Sequence, residues 1–234
     1  MNVLTRLWDH GYASQPAPPA WVVGVTALAA LLLVLNTASW RLAGQVITIA
    51  HEGGHALVSV LSGRRLEGIR LHADSSGVTY SRGKRRGPGL VLTAAAGYLT
   101  PPLLGAGAAA LLAARHPAAL LWLALVLLAA TFLAVRNAFG ALAVLVTAAG
   151  VFAVSYYASA AVQAGFAYLA AWFLLLGGMR PALELTRRRR GSRSGSGSRS
   201  GLSDADQLAR LTGVSRGVWV TAFVLIATAA LAVG

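Results

Sequence analysis

The chain has 234 residues, 56% of them hydrophobic and only 12% charged, with a mean hydropathy of +0.65. That composition excludes an ordinary soluble domain and implies a polytopic membrane protein. Cysteine is absent, which excludes disulfides and thiolate metal sites; the net charge of +13 would suggest nucleic acid in a soluble protein, but these arginines flank apolar spans, so membrane orientation accounts for them, with anionic lipid contact secondary and no nucleic-acid partner expected.

Residues 1–19 carry Arg6, Asp9 and His10 and end in Pro16, Pro18 and Pro19. They read as an extramembrane segment without the basic-then-apolar order of a cleaved signal peptide. Apolar runs then predict seven spans, at about residues 20–40, 42–61, 90–114, 118–135, 138–157, 160–179 and 218–233. The predicted fold class is an all-α polytopic membrane protein of about seven transmembrane helices, with a short cytoplasmic β-hairpin after the second. Its parts are an N-terminal cytoplasmic segment (1–19), a membrane core (20–179), a basic Gly/Ser/Arg linker (180–201), and a short cytoplasmic helix with the seventh span (202–234).

Charge orients this path. With the N-terminus inside, segments 1–19, 62–89, 136–137 and 180–217 hold 18 of the 20 Lys and Arg residues, leaving Arg41 and Arg115 outside. The positive-inside rule therefore predicts a multi-pass protein of the plasma membrane with a cytoplasmic N-terminus and an external C-terminus. A span count wrong by one is expected to put the two large basic loops on opposite faces.

The second span contains His51-Glu52-Gly53-Gly54-His55. On a helix His51 and His55 lie one turn apart on one face and can take two corners of a tetrahedral Zn²⁺ site. Glu52 can then act as general base on water held by the metal. A single histidine here could merely be hydrogen-bonded between helices. Three ionisable groups within five residues, each costly at membrane depth, point instead to a functional site.

Residues 63–81 break the apolar pattern. Imperfect alternation around Leu66, Ile69 and Leu71, the turn chemistry of Asp74 to Gly77, and Val78-Thr79-Tyr80 predict a β-hairpin at the mouth of the site. It is either an ordinary exposed hairpin or an edge on which an unwound substrate segment pairs, with Val78 among the contacts. The basic run Arg82 to Arg86 suits a topology determinant. Gly97 and the prolines Pro101 and Pro102 in span three predict a kink, with a possible cavity beside the metal. The run at 191–201 reads as a linker. Residues 202–213 read as a short helix in which Ser203 is the N-cap, Asp206 completes a capping box and Gly213 ends the helix.

His51-Glu52-Gly53-Gly54-His55 within a span, Gly63-Arg64-Arg65, the hairpin ending Ser76-Gly77-Val78-Thr79, and Ala96-Gly97-Tyr98-Leu99 together resemble the M50 site-2-protease group of intramembrane zinc metallopeptidases. The narrower resemblance is to its bacterial M50B-like branch, which Arg136-Asn137-Ala138-Phe139-Gly140, Ser203 to Leu208 and Leu211-Thr212-Gly213 also resemble. The likeness covers about residues 46–219. It implies a helical membrane core, one catalytic zinc, ligands His51 and His55, catalytic Glu52, and cleavage of a membrane protein substrate in or near a transmembrane segment.

Better-known members of the group take a third ligand from a Leu-Asp-Gly aspartate, which this chain lacks. Its acids are Asp9, Glu52, Glu67, Asp74, Glu184, Asp204 and Asp206. Asp204 is the preferred third ligand, because Asp206 suits the helix cap; Asp206, Asn137 and His72 are the alternatives. Both aspartates can also simply favour a helix N-terminus. Asn137 and Gly97 are further candidates for substrate contact. The expected activity is a zinc-dependent endopeptidase of the lipid bilayer. The competing readings are a metal-binding transporter or sensor and an inactive scaffold.

Overall fold

The computed structural model describes residues 14–191 and 203–234. Residues 1–13 and 192–202, which hold most of the expected N-terminal segment and the second part of the linker, lie outside the described residues. The chain folds into α1 (Ala20–Leu35), α2 (Thr37–Leu61), β1 (Arg65–Leu71), β2 (Gly77–Arg82), α3 (Pro88–Ala113), α4 (Pro117–Ala134), α5 (Ala138–Tyr157), α6 (Ala160–Gly191), α7 (Asp204–Thr212) and α8 (Arg216–Val233). It is mostly helical, with one two-stranded antiparallel sheet.

Five helices, α3, α4, α5, α6 and α8, are long and apolar enough to cross a membrane, and α1 with α2 makes a sixth crossing when taken together. The expected count of seven is not found. Spans one and two were expected as separate crossings divided near residue 41; the chain instead bends by 102° at Asn36. The cause is local. Asn36 has an extended backbone, and its side-chain oxygen accepts from the amides of Ala38 (2.9 Å) and Ser39 (3.1 Å), so it caps a new helix inside an apolar run.

The path of α1 also differs from expectation. The Gln15 amide donates to the Arg115 carbonyl at 2.9 Å and its side chain meets that of Gln163 at 3.3 Å. These residues flank the α3–α4 and α5–α6 turns. At the far end of α1, the Arg180 guanidinium donates to the Val34 carbonyl and stacks over Trp40, 4.4 Å from the ring centroid. Thus α1 runs parallel to α6, and Gln15 sits at the end of the bundle opposite the hairpin. The crossing that is lost precedes both large basic loops, so those loops stay at one end.

Small residues let the central helices approach closely. A Cβ on Gly178 of α6 would fall 2.8 Å from Pro102 Cδ, and one on Gly105 of α3 would fall 2.9 Å from the Leu175 amide nitrogen. Pro101 and Pro102 are both buried within α3, which continues through them.

The hairpin lies along α2. Register pairs Leu71 with Gly77, Ile69 with Thr79 and Gly68 with Tyr80, with a bulge between Leu66 and Gly68. Ile69 and Leu71 are fully buried and join a core with Ile49 and Ala56 of α2 and Leu128 and Ala134 of α4. The turn is tied to α2 by Gln45 Nε2 donating to the His72 carbonyl (2.9 Å) and Thr48 Oγ1 donating to the Ser75 carbonyl (2.9 Å). Asp74 accepts from the Ser76 hydroxyl (2.6 Å) and amide (3.0 Å), and these bonds hold its carboxyl below the usual range. It is a turn residue.

Candidate metal centre

His51 and His55 project from the same face of α2, as residues four apart on a helix must. Their Nε2 atoms are 3.1 Å apart. Asp204, the first residue of α7, places Oδ2 3.1 Å from each of them. The three ligand atoms thus form a nearly equilateral triangle. A tetrahedral ion with bonds of ~2.0–2.1 Å separates its ligand atoms by about 3.3 Å, so the triangle matches one face of such a site closely.

The donor set fits a metal on chemical grounds too. His55 Nδ1 lies 2.6 Å from the Thr93 carbonyl, which can only accept, so Nδ1 carries the hydrogen. In the neutral ring Nε2 then keeps a lone pair aimed at the Asp204 carboxylate. Two acceptors facing each other at this distance repel unless a proton or a metal ion lies between them.

The opposite wall is Gly97 of α3. A Cβ there would lie 2.4 Å from both Nε2 atoms, so only glycine leaves that space open. The edge of the His51 ring meets Tyr98, at 4.9 Å between centroids, and Tyr98 stacks on Phe223 of α8 at 5.0 Å. Gly54 faces Thr100, where a Cβ would fall 2.1 Å from the hydroxyl oxygen, so α2 and α3 touch at the motif itself.

Asp204 reaches the centre because α7 is held from below. Ala205 and Leu208 are fully buried among Ala94, Ala95, Ala182, Leu185, Val220 and Phe223. Asp206 is used elsewhere: its Oδ2 accepts from the Ser203 amide (3.1 Å) and hydroxyl (2.6 Å), closing the capping box, and its Oδ1 lies 3.2 Å from Arg216 Nε. Gly213 ends the helix at φ +73°.

Glu52 is 4% exposed, deeper than the partly exposed side chains of His51 and Asp204. Strand β2 covers it. Thr79 Oγ1 donates to Glu52 Oε2 at 2.6 Å, and a Cβ on Gly77 would lie 2.6 Å from Glu52 Cγ. Thr79, Gly77 and the Thr93 carbonyl are site elements that sequence reasoning missed. Thr79 carries only strand alternation as a signal, and Thr93 acts through its backbone, which no side-chain motif records.

The other candidates sit apart. Asn137 is not in the cluster; its Nδ2 donates to the Leu71 carbonyl (2.8 Å) and its Oδ1 accepts from the Leu71 amide (3.2 Å), so it pairs with β1 as a strand would. His72 is an exposed turn residue whose Nδ1 is 3.5 Å from Ser76 Oγ. Val78 is exposed on the outer face of β2. Among the described residues, His51, His55 and Asp204 are the one group of three or more such side chains with ligand atoms gathered for a metal.

A family model described as Peptidase M50B-like matches residues 24–234. No curated protein and no solved structure matches the chain.

Proposed function

The chain belongs to the Peptidase M50B-like family, and from that premise we propose that it is a zinc-dependent intramembrane endopeptidase, cleaving a membrane protein in or near a transmembrane segment. The observation that carries this reading is the convergence of His51, His55 and Asp204 on one point beside buried Glu52. Zn²⁺ bound there supplies Lewis-acid chemistry to the scissile carbonyl and makes water a better nucleophile. His51, His55 and Asp204 hold the ion, and the Thr93 carbonyl fixes the tautomer of His55. Glu52 takes the proton from the attacking water and returns it to the leaving amine. Thr79 steadies the Glu52 carboxylate through its hydroxyl.

Substrate enters as an extended strand. A helix hides its peptide bonds, so the segment to be cut must unwind before it reaches Glu52. The outer edge of β1 is already engaged: the Arg136 amide donates to the Ile69 carbonyl and Asn137 pairs with Leu71. The edge of β2, from Gly77 to Arg82, is the one that remains for pairing, and it passes Thr79 and Glu52. The basic residues gathered at the hairpin end favour the cytoplasm for that end. On that orientation the segment beginning at Gln15 lies on the external side, contrary to the cytoplasmic N-terminus expected from seven spans.

Reconstitution in liposomes with single-span substrates tests the reading. The native chain should cleave, and Glu52→Gln should cleave about 10²–10⁴-fold more slowly with its zinc retained. Equal cleavage by both proteins would sink the peptidase assignment.

A further inference from the structure

A cleft of about 370 Å³ lies on the side of the hairpin away from Glu52, lined by Glu67, Gly68, Arg70, Tyr80 and Arg136. We propose that it binds the phosphate headgroup of an anionic phospholipid. Three features of its construction point there.

The first is unpaired positive charge. Among the described residues neither Arg70 nor Arg136 has a carboxylate within ion-pair distance, while Glu67 is occupied by Arg82 Nε at 2.9 Å. Arg136 is also held in place. Its Nη1 donates to the Leu133 (2.7 Å) and Val135 (3.2 Å) carbonyls at the end of α4, and its Nε and Nη2 make no hydrogen bond among the described residues. A guanidinium fixed by one nitrogen presents the others as a fork for phosphate oxygens. Arg70 lies over the Tyr80 ring, 6.0 Å from its centroid, on the same face.

The second is the floor. Gly68 directly follows the bulge at Glu67, at φ +149°, and a Cβ on it would fall 2.3 Å from Arg136 Cγ and 3.1 Å from the Ala134 carbonyl. Any side chain there would push Arg136 off the sheet, so the bulge and the missing Cβ make room for the arginine stem.

The third is position. Arg136 joins α4 to α5, where the apolar helix surfaces end. Beside it Phe132, Leu133, Phe139 and Leu142 are 38%, 75%, 38% and 60% exposed, facing outward where acyl chains would run. A basic cleft directly above such a surface matches a headgroup with its chains attached, better than it matches a soluble anion. Alternation along the strands keeps it separate from the catalytic face: Tyr80 points out where Thr79 points in.

The test is native mass spectrometry of the full-length protein, solubilised and stripped of lipid, titrated with phosphatidylglycerol and with phosphatidylcholine of the same chains. One phosphatidylglycerol should bind about thirtyfold more tightly than phosphatidylcholine, two arginines each contributing about fivefold. Arg70→Gln with Arg136→Gln should remove the preference, while Arg85→Gln, in the neighbouring basic run, should keep it. Helicity and zinc content report whether the variants fold; if the double variant does not, each single variant must lower the preference about fivefold at unchanged helicity. The proposal is overturned if the arginine variants retain the preference or if Arg85→Gln loses as much. It also fails if glycerol 1-phosphate binds as tightly as the lipid, which would assign the cleft to a soluble phosphate. Displacement of the lipid by an acidic single-span peptide at lower concentration would assign it to substrate.

Discussion

At the scale of residues, the metal centre is one short motif completed from a distance. His51, Glu52 and His55 were legible in the sequence because helical geometry alone brings them to one side of α2. Asp204 was legible for a different reason: its neighbour Asp206 had a better use in the cap of α7. In the structure Asp206 is bound to Ser203, and Asp204 lies within 3.1 Å of both imidazoles. Asp204→Ala should therefore lose zinc affinity and cleavage together, whereas Asp206→Ala should keep one zinc per chain at saturation and cost about 1 kcal/mol of helix stability. Elemental analysis alongside thermal unfolding separates the two; equal zinc loss in both would argue against these roles. Thr79 was invisible because its partner, Glu52, is 27 positions away on another element. Thr79→Val keeps the volume and removes the hydroxyl, so kcat should fall about tenfold with little change in KM, less than the ~10²–10⁴-fold that the proton-transfer group it steadies controls. Thr79→Ser should restore most of the rate. A valine variant as fast as the native chain would leave the hydroxyl without a catalytic role.

At the scale of elements, alternation and turn chemistry revealed the hairpin, and the capping box revealed α7. What pairs with β1 on its far side was not readable. The partner is a break between helices, where Val135 bridges Ile69 and Asn137 mimics a strand with its side-chain amide. Neither has strand periodicity. Replacing Asn137 by Ala leaves the Leu71 amide and carbonyl without that partner in a buried setting, at a cost of about 1–3 kcal/mol. Hydrogen exchange at Leu71 should accelerate, and turnover should drop more than zinc content as the hairpin loosens over Glu52. Unchanged exchange at Leu71 would mean that the sheet does not depend on this amide. The bend at Asn36 was missed because the boundary was set at Arg41, the nearest charge; the run Asn36-Thr37-Ala38-Ser39 carries a cap signal that a hydropathy window averages away.

At the scale of the whole molecule, charge placed both large basic loops at one end of the bundle, and the described parts of both lie there. It differs in the first crossing, which α1 and α2 share across their bend. The chain has no native cysteine, so labelling is clean. A cysteine at Gln15 should react with membrane-impermeant reagents from the face opposite one at Ser81; reaction from the same face would restore two separate crossings. The separation between donors has a consequence in time. Asp204 follows His55 by 149 positions. At ~5–20 residues per second, a ribosome needs roughly 7–30 s to go from one to the other. Throughout that interval the nascent chain threads into the bilayer carrying two imidazoles and a carboxylate base but no third donor. The chain thus inserts with an incomplete donor set, beside other newly inserted membrane segments, until α7 emerges and docks.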